Sequence, residues 1–183
     1  RELNLIEYDR HAGKYSWRDL KAKKGPKLHK KLDLPNYDIE EVAICISFTE
    51  QVHQHYYKSL ISESAGVLHF YVDDPSKMTP PANPEQVTNY AKIIRKGYEE
   101  LLNKLPHLKL IHLFTGASMS LVYKIGTIFK PSNMPRIRTY FFKRPIHRWC
   151  IEITPALDRF SPENYKIIKI SCGSDSPSDA LLR

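Results

Sequence analysis

Residues 41–47 read Glu-Val-Ala-Ile-Cys-Ile-Ser, an almost unbroken apolar and β-branched run. A strand of that pattern is buried on both faces, so elements must cover it from both sides. The segments after it alternate between helix and strand patterns. Gln51–Ile61 carries Val52, Tyr56 and Leu60 at helical spacing, with Thr49 as the expected N-cap. Gly66–Val72 is a second apolar strand, and residues 73–84 hold four prolines and form a loop. Pro84-Glu85 opens a helix whose apolar face (Val87, Tyr90, Ile93, Ile94, Tyr98, Leu101, Leu102) runs to Lys104 before Pro106. Leu108–Phe114 is a third strand, Thr115–Ser118 a tight turn and Met119–Phe129 a helix. Strands are then expected at Arg138–Phe142, Trp149–Ile153 and Tyr165–Ile170.

Strands alternating with helices imply an α/β, Rossmann-like fold, a mostly parallel sheet flanked by helices. The expected organisation is a basic, loop-rich segment over residues 1–36, the Rossmann-like domain over 37–172 and a tail over 173–183. Within the first segment Leu3–Tyr8 suits a short strand, and Trp17 an anchor onto the body.

In such sheets ligands bind beyond the carboxyl ends of the strands. Two turns stand there: Ser47-Phe48-Thr49-Glu50 and Thr115-Gly116-Ala117-Ser118-Met119. A helix N-terminus offers N–H groups and a partial positive charge to a phosphate. Hydroxyls of Thr49, Thr115 and Ser118 would add hydrogen bonds, and Gly116 permits close approach to the backbone. The same residues also suit ordinary capping and turning. Neither G-x-G-x-x-G nor a Walker A loop is present.

Other chemistries fit less well. Gly116-Ala117-Ser118-Met119-Ser120 approaches a G-x-S-x-G nucleophile elbow, with Ser120 in place of the second glycine. The sole histidine after Ser118 is His147, and no Asp or Glu lies between them, so the hydrolase order cannot be met. His53 and His55, two apart on an expected helix, point to different sides and make no metal pair. Asp73-Asp74 suits a turn better than a magnesium site. Eleven tyrosines supply rings, some placed to stack on bases.

The 28 Lys+Arg against 20 Asp+Glu give a net charge of +8, a field that attracts polyanions. Part of the excess lies in Lys21–Lys31, a solvated loop or a patch facing phosphate or another subunit. Cys45, Cys150 and Cys172 are odd in number and far apart, which argues against a disulfide framework or thiolate zinc and suits a cytoplasmic setting. No apolar run approaches the roughly 18 residues of a membrane span.

Ile111–Gly126 (Ile-His-Leu-Phe-Thr-Gly-Ala-Ser-Met-Ser-Leu-Val-Tyr-Lys-Ile-Gly) resembles the strand–turn–helix signature of SAVED domains. Ala43–Val52 is similar to their strand ending in a Ser/Thr turn, and Arg138–Phe142 to the strand after the signature helix. The resemblance covers residues 40–155 and the second of two CARF-like halves, with Ser118 where the family usually has Pro. It implies a sensor of cyclic oligonucleotides in bacterial anti-phage signalling or type III CRISPR. Binding would drive oligomerisation and switch on a fused or associated effector, such as a nuclease, TIR or protease. Either the chain is a fragment of a longer protein, or a second copy or another chain would complete the pocket. Carried over, the ligand-facing residues are Ser47, Phe48, Thr49, Glu50, Thr115, Gly116, Ala117, Ser118 and Met119, with Lys124 and Tyr140 beside them. No cofactor and no catalysis by this chain are expected. A general nucleic-acid-binding domain and a CARF-like enzyme that cleaves cyclic oligonucleotides are the alternatives.

Overall fold

The structure is a computed structural model. It describes residues 8–9, 14–15, 17, 21, 25–36, 38–74, 81–129, 134–143, 146–154 and 165–169. The expected strand at residues 3–7, Cys172 and the tail at 173–183 lie outside the described residues.

Short strands β1 (Tyr8–Asp9) and β2 (Lys14–Tyr15) pair antiparallel. The remaining strands are β3 (His29–Asp33), β4 (Glu41–Ser47), β5 (Gly66–Tyr71), β6 (Leu110–Gly116), β7 (Arg136–Lys143), β8 (Ile146–Ile153) and β9 (Tyr165–Lys169). They form one sheet in the order β3-β5-β4-β6-β7-β8-β9. The four central strands β5, β4, β6 and β7 run parallel, and the three flanking pairings are antiparallel. The α/β alternation expected from the sequence thus builds the centre of the sheet, and antiparallel strands extend both edges.

Side-chain alternation divides the sheet into two faces. Val42, Ile44, Ile46, Leu68, Phe70, Ile111 and Leu113 point to the first, where two helices cover them. The longer is α2 (Pro84–Lys104), which buries Val87, Tyr90, Ala91, Ile94, Tyr98 and Leu101. The shorter is α3 (Met119–Gly126), which buries Leu121 and Ile125. Each wholly buried Leu or Ile contributes roughly 1.5–3 kcal/mol relative to exposure. Gly97 lets α2 lie close on the sheet: a Cβ there would be 2.5 Å from Cζ of Phe70. Trp17 packs against the same core, as an anchor should.

The second face holds Ala43, Cys45 and Phe114, with Val67 and Tyr140 packed against them. Its cover comes from residues 52–61, with Tyr57 buried and Val52, Leu60 and Ile61 around it. Those residues include the short helix α1 (Gln54–Tyr57) and a 3-10 turn at Lys58–Leu60. The helix starts three residues later than the sequence spacing suggests. His53 is its N-cap and Thr49 is not, so the turn after β4 is not a helix N-terminus.

Part of the basic block is also ordered differently from a loop. His29, Lys30 and Lys31 belong to edge strand β3, paired with β5, and Lys30 forms an ion pair with Glu100 on α2.

Candidate functional site

The chain leaves β4 for β5 on one side, then crosses to β6 on the other side of β4. The carboxyl ends of β4 and β6 are therefore a topological switch point, where open α/β sheets place their ligand crevice. Ser47 and Gly116 end the two strands in direct register.

The two turns beyond them are joined through one atom. The N–H groups of Phe48, Thr49 and Glu50 all donate to the Gly116 carbonyl oxygen, at 2.9, 2.8 and 3.1 Å. The Thr49 hydroxyl donates to it as well, at 3.3 Å. These amides fold the first turn onto the second instead of facing a phosphate. A Cβ on residue 116 would lie 2.9 Å from the Glu50 carbonyl carbon and closer still to its oxygen, so the contact requires glycine.

Beneath the turns, Ser47 and Phe48 are buried. The Ser47 hydroxyl accepts from the Val52 N–H at 2.9 Å and is 2.8 Å from Nε2 of His69. Phe48 sets its ring edge-on against Tyr90 at 4.6 Å. Both residues support the turn from below.

Above them opens a shallow recess of about 290 Å³, its mouth included. Its walls are Glu50, Gln51, Val52 and Tyr56 from the segment after β4, and Phe114, Thr115 and Gly116 from the end of β6. Three expected ligand residues (Glu50, Thr115, Gly116) line it. Ala117 and Ser118 are half-buried on the way into α3, and Met119 is exposed. Ser118 is the N-cap of α3 without a side-chain capping bond, its hydroxyl being 3.5 Å from that of Ser120. Helical geometry leaves the first-turn N–H groups of α3 without intrahelical partners, which makes this the positive helix end at the site. Lys124 lies in the last turn of α3.

Tyr140 does not line the recess. Its ring stacks on Phe114, with centroids 4.5 Å apart and planes 13° from parallel. Its hydroxyl is 2.5 Å from Nδ1 of His112, whose Nε2 lies 2.8 Å from a Glu41 carboxylate oxygen. A neutral imidazole suits this setting: Nδ1 accepts from the phenol, and Nε2 lies beside the carboxylate. Burial lowers the His112 pKa, the Glu41 carboxylate opposes that, and Arg138 adds to it. Burial likewise raises the Tyr140 pKa. Arg138 in turn donates from Nε to Glu152 at 2.5 Å. A polar chain thus runs across the second face under the recess. No sequence spacing announces it, because its members come from four strands.

His53 and His55 do not diverge as helix positions two apart would. His53 precedes the helix, and the two rings stack at 5.4 Å. The ring of His55 lies 4.0 Å from that of Tyr56 at the rim of the recess. Among the described residues no group of three or more His, Cys, Asp or Glu could hold a metal ion. Nor, among them, is any helix long and apolar enough to cross a membrane.

The family model for SAVED, the SMODS-associated and fused to various effectors sensor domain, matches residues 1–153. The chain belongs to the SAVED family. The match includes the signature segment Ile111–Gly126 and both turns at the switch point. Among solved structures, this SAVED domain is similar to the Acinetobacter baumannii Cap4 SAVED/CARF-domain containing receptor with the cyclic trinucleotide 3'3'3'-cAAA. The TM-score is 0.53 at 18% identity, over 69% of this chain and 27% of that one. The same receptor with 2'3'3'-cAAA matches at TM-score 0.53 and 18% identity, over 70% of this chain and 28% of that one. The likeness establishes a shared fold. The chain spans little more than a quarter of the length of these receptors. No curated protein matches it.

Proposed function

We propose that this SAVED domain senses a cyclic oligonucleotide in bacterial antiviral defence, with the ligand at the switch point of β4 and β6. One observation carries the reading: in a sensor family, the recess at that switch point is walled by the residues after β4 and the end of β6. The Cap4 receptors of similar fold hold cyclic trinucleotides. The ligand's phosphates lie toward the N-terminus of α3, near Thr115 to Met119, where helix dipole and amides favour an anion. The net charge of +8 raises the encounter rate with it.

The output is a population shift. The ligand binds the assembled state better than the free one, and so activates a fused or associated effector. A second copy or another chain contributes the remainder of the pocket. Catalysis is assigned to the effector, and this chain's own role is recognition.

Calorimetric titration against cyclic di-, tri- and tetranucleotides, with linear RNA as control, tests the reading. Selective binding of a cyclic species, lost in Thr115→Glu, is the expected result, and light scattering on the same samples reads assembly. Affinity for long linear RNA that falls steeply with salt, without preference for a ring, identifies a general nucleic-acid binder instead. Disappearance of bound ligand over time identifies a ring nuclease.

A further inference from the structure

We infer that His69 is a positioning residue for the proposed ligand site. Its neutral imidazole fixes the Ser47 hydroxyl that anchors Val52, so a proton taken up by His69 slackens the recess wall and weakens ligand binding. The inference rests on the sensor reading above and names a residue behind the site that sets its shape.

The segment that walls the recess is anchored at two points. At one, the N–H groups of Phe48, Thr49 and Glu50 are drawn onto the Gly116 carbonyl. At the other, the Val52 N–H donates to the Ser47 hydroxyl at 2.9 Å. Val52 lines the recess, His53 after it is the N-cap of α1, and Tyr56 of that helix lines the recess as well. The second anchor therefore sets where the segment turns into α1. A helix of four residues does not hold itself, so its place depends on such outside contacts.

Ser47 is wholly buried, and Nε2 of His69 is 2.8 Å from its hydroxyl oxygen. Counting lone pairs sets the direction of that bond. A hydroxyl has one hydrogen and two acceptor positions, and the Val52 N–H occupies one of the latter. The hydrogen goes to an unprotonated Nε2. An imidazolium carries N–H on both nitrogens, so Nε2 becomes a donor. The Ser47 hydrogen is then left without an acceptor among the described residues. A buried polar group in that state is unfavourable, and it is relieved when the segment moves off and water reaches the hydroxyl.

The groups around His69 favour the neutral form. Lys31 faces it in register on β3, a strand that also carries His29 and Asp33, and Cys45 is its register neighbour on β4. Tyr71 is 5.3 Å away, ring to ring, and beyond it His29 lies 2.9 Å from Asp73. The covering segment carries Tyr57 and the exposed His53, His55 and Lys58. Burial pushes the Cys45 thiol up to about 12 and raises the Tyr57 phenol, so neither supplies a charge. Among the described residues no carboxylate pairs with the imidazole, and burial and Lys31 both resist a proton there.

The test is a calorimetric titration of the whole chain with cyclic di-, tri- and tetranucleotides at about pH 7.5 and 5.0. His69→Leu and Ser47→Ala should each weaken the preferred ring at pH 7.5 by about three- to tenfold, and the double variant no further, since both break one chain. His69→Gln puts an amide oxygen near the place of Nε2 but takes no proton, so it should rescue most of the affinity that His69→Leu loses. At pH 5.0 the wild type should fall below His69→Gln by about three- to tenfold. The rim residues His53 and His55 are common to both proteins and cancel from that ratio. Thermal unfolding at both pH values checks the fold, and the comparison with His69→Gln alone decides the question if His69→Leu unfolds. A ratio of wild type to His69→Gln that does not change with pH, or losses that add in the double variant, overturns the positioning role and leaves the sensor reading standing. No binding of any ring by the wild-type chain overturns both.

Discussion

Gly116 and Glu50 share one small volume at the end of the central strands. The Gly116 carbonyl accepts the Glu50 N–H at 3.1 Å, and the Glu50 carbonyl fills the place where a side chain on residue 116 would begin. The turn after β4 is thereby folded onto the turn after β6, and the recess is the gap left between them.

Gly116→Ala must therefore displace backbone, which has no rotamer to yield. It should lower stability by about 1–3 kcal/mol, the usual range for overpacking. Urea unfolding followed by circular dichroism measures this. A loss below about 0.5 kcal/mol would show that the turn can move aside, and the close approach would then carry no structural weight.

Asn83 caps α2. Its side-chain oxygen accepts the Gln86 N–H at 3.0 Å, and the Gln86 side chain returns to the Ala82 N–H at 2.9 Å. This reciprocal arrangement satisfies two donors at the start of the longest helix, in a buried setting. Asn83→Ala should cost about 1 kcal/mol, and Asn83→Asp, which keeps an acceptor, should cost less. The midpoints of their denaturation curves distinguish the two, and equal losses would mean that the cap bond is not what matters.

Glu152 on β8 faces Arg138 across the β7–β8 pairing, with Arg136 3.5 Å away. Glu152 is nearly buried while Arg138 is 31% exposed, so water offsets part of the loss when the carboxylate goes. Glu152→Leu should destabilise by about 1–3 kcal/mol. Adding Arg138→Met should recover part of that, because the stranded cation is removed too. A double variant no more stable than the single one would contradict this account of the pair.

Sequence pattern makes the body of the sheet legible for a physical reason. β4 is buried on both faces, so Val42 to Ile46 must be apolar throughout, and α2 is long enough to show its period and both ends. Strand β3 carries no such signal because it is an edge. Pairing on one side and charges at Lys30 and Lys31 leave no apolar alternation to read. The start of α1 departs from the sequence spacing for a tertiary reason: Val52, Tyr56 and Leu60 keep helical spacing, but the preceding amides are drawn onto Gly116, a residue 66 or more positions away. Thr115 and Gly116 are legible as the turn of a strand–helix unit. Tyr56 and the chain from Glu41 through His112 to Tyr140 are not, because they depend on which strands become neighbours.

His112 and His69 make stability depend on pH in a direction set by their surroundings. His112 is held neutral mainly by burial, against the attraction of Glu41 and with the repulsion of Arg138. His69, 2.8 Å from the Ser47 hydroxyl, is lowered by burial and then by Lys31. Both imidazoles thus bind a proton less readily in the folded chain than in the unfolded one. Where the unfolded state binds more protons, stability rises with pH. The contribution is complete above the ordinary histidine value of about 6.5 and is lost as pH falls from there toward the lowered folded-state values. The slope cannot exceed about 1.4 kcal/mol per pH unit for each histidine. Urea unfolding at about pH 7.5, 6.5 and 5.5 should show little change over the first interval and a clear loss over the second. Nuclear magnetic resonance of the ring protons should place both midpoints below about 6.5. Stability that is flat or rising toward pH 5.5 would mean that a proton on His112 is welcomed by Glu41 more than burial resists it.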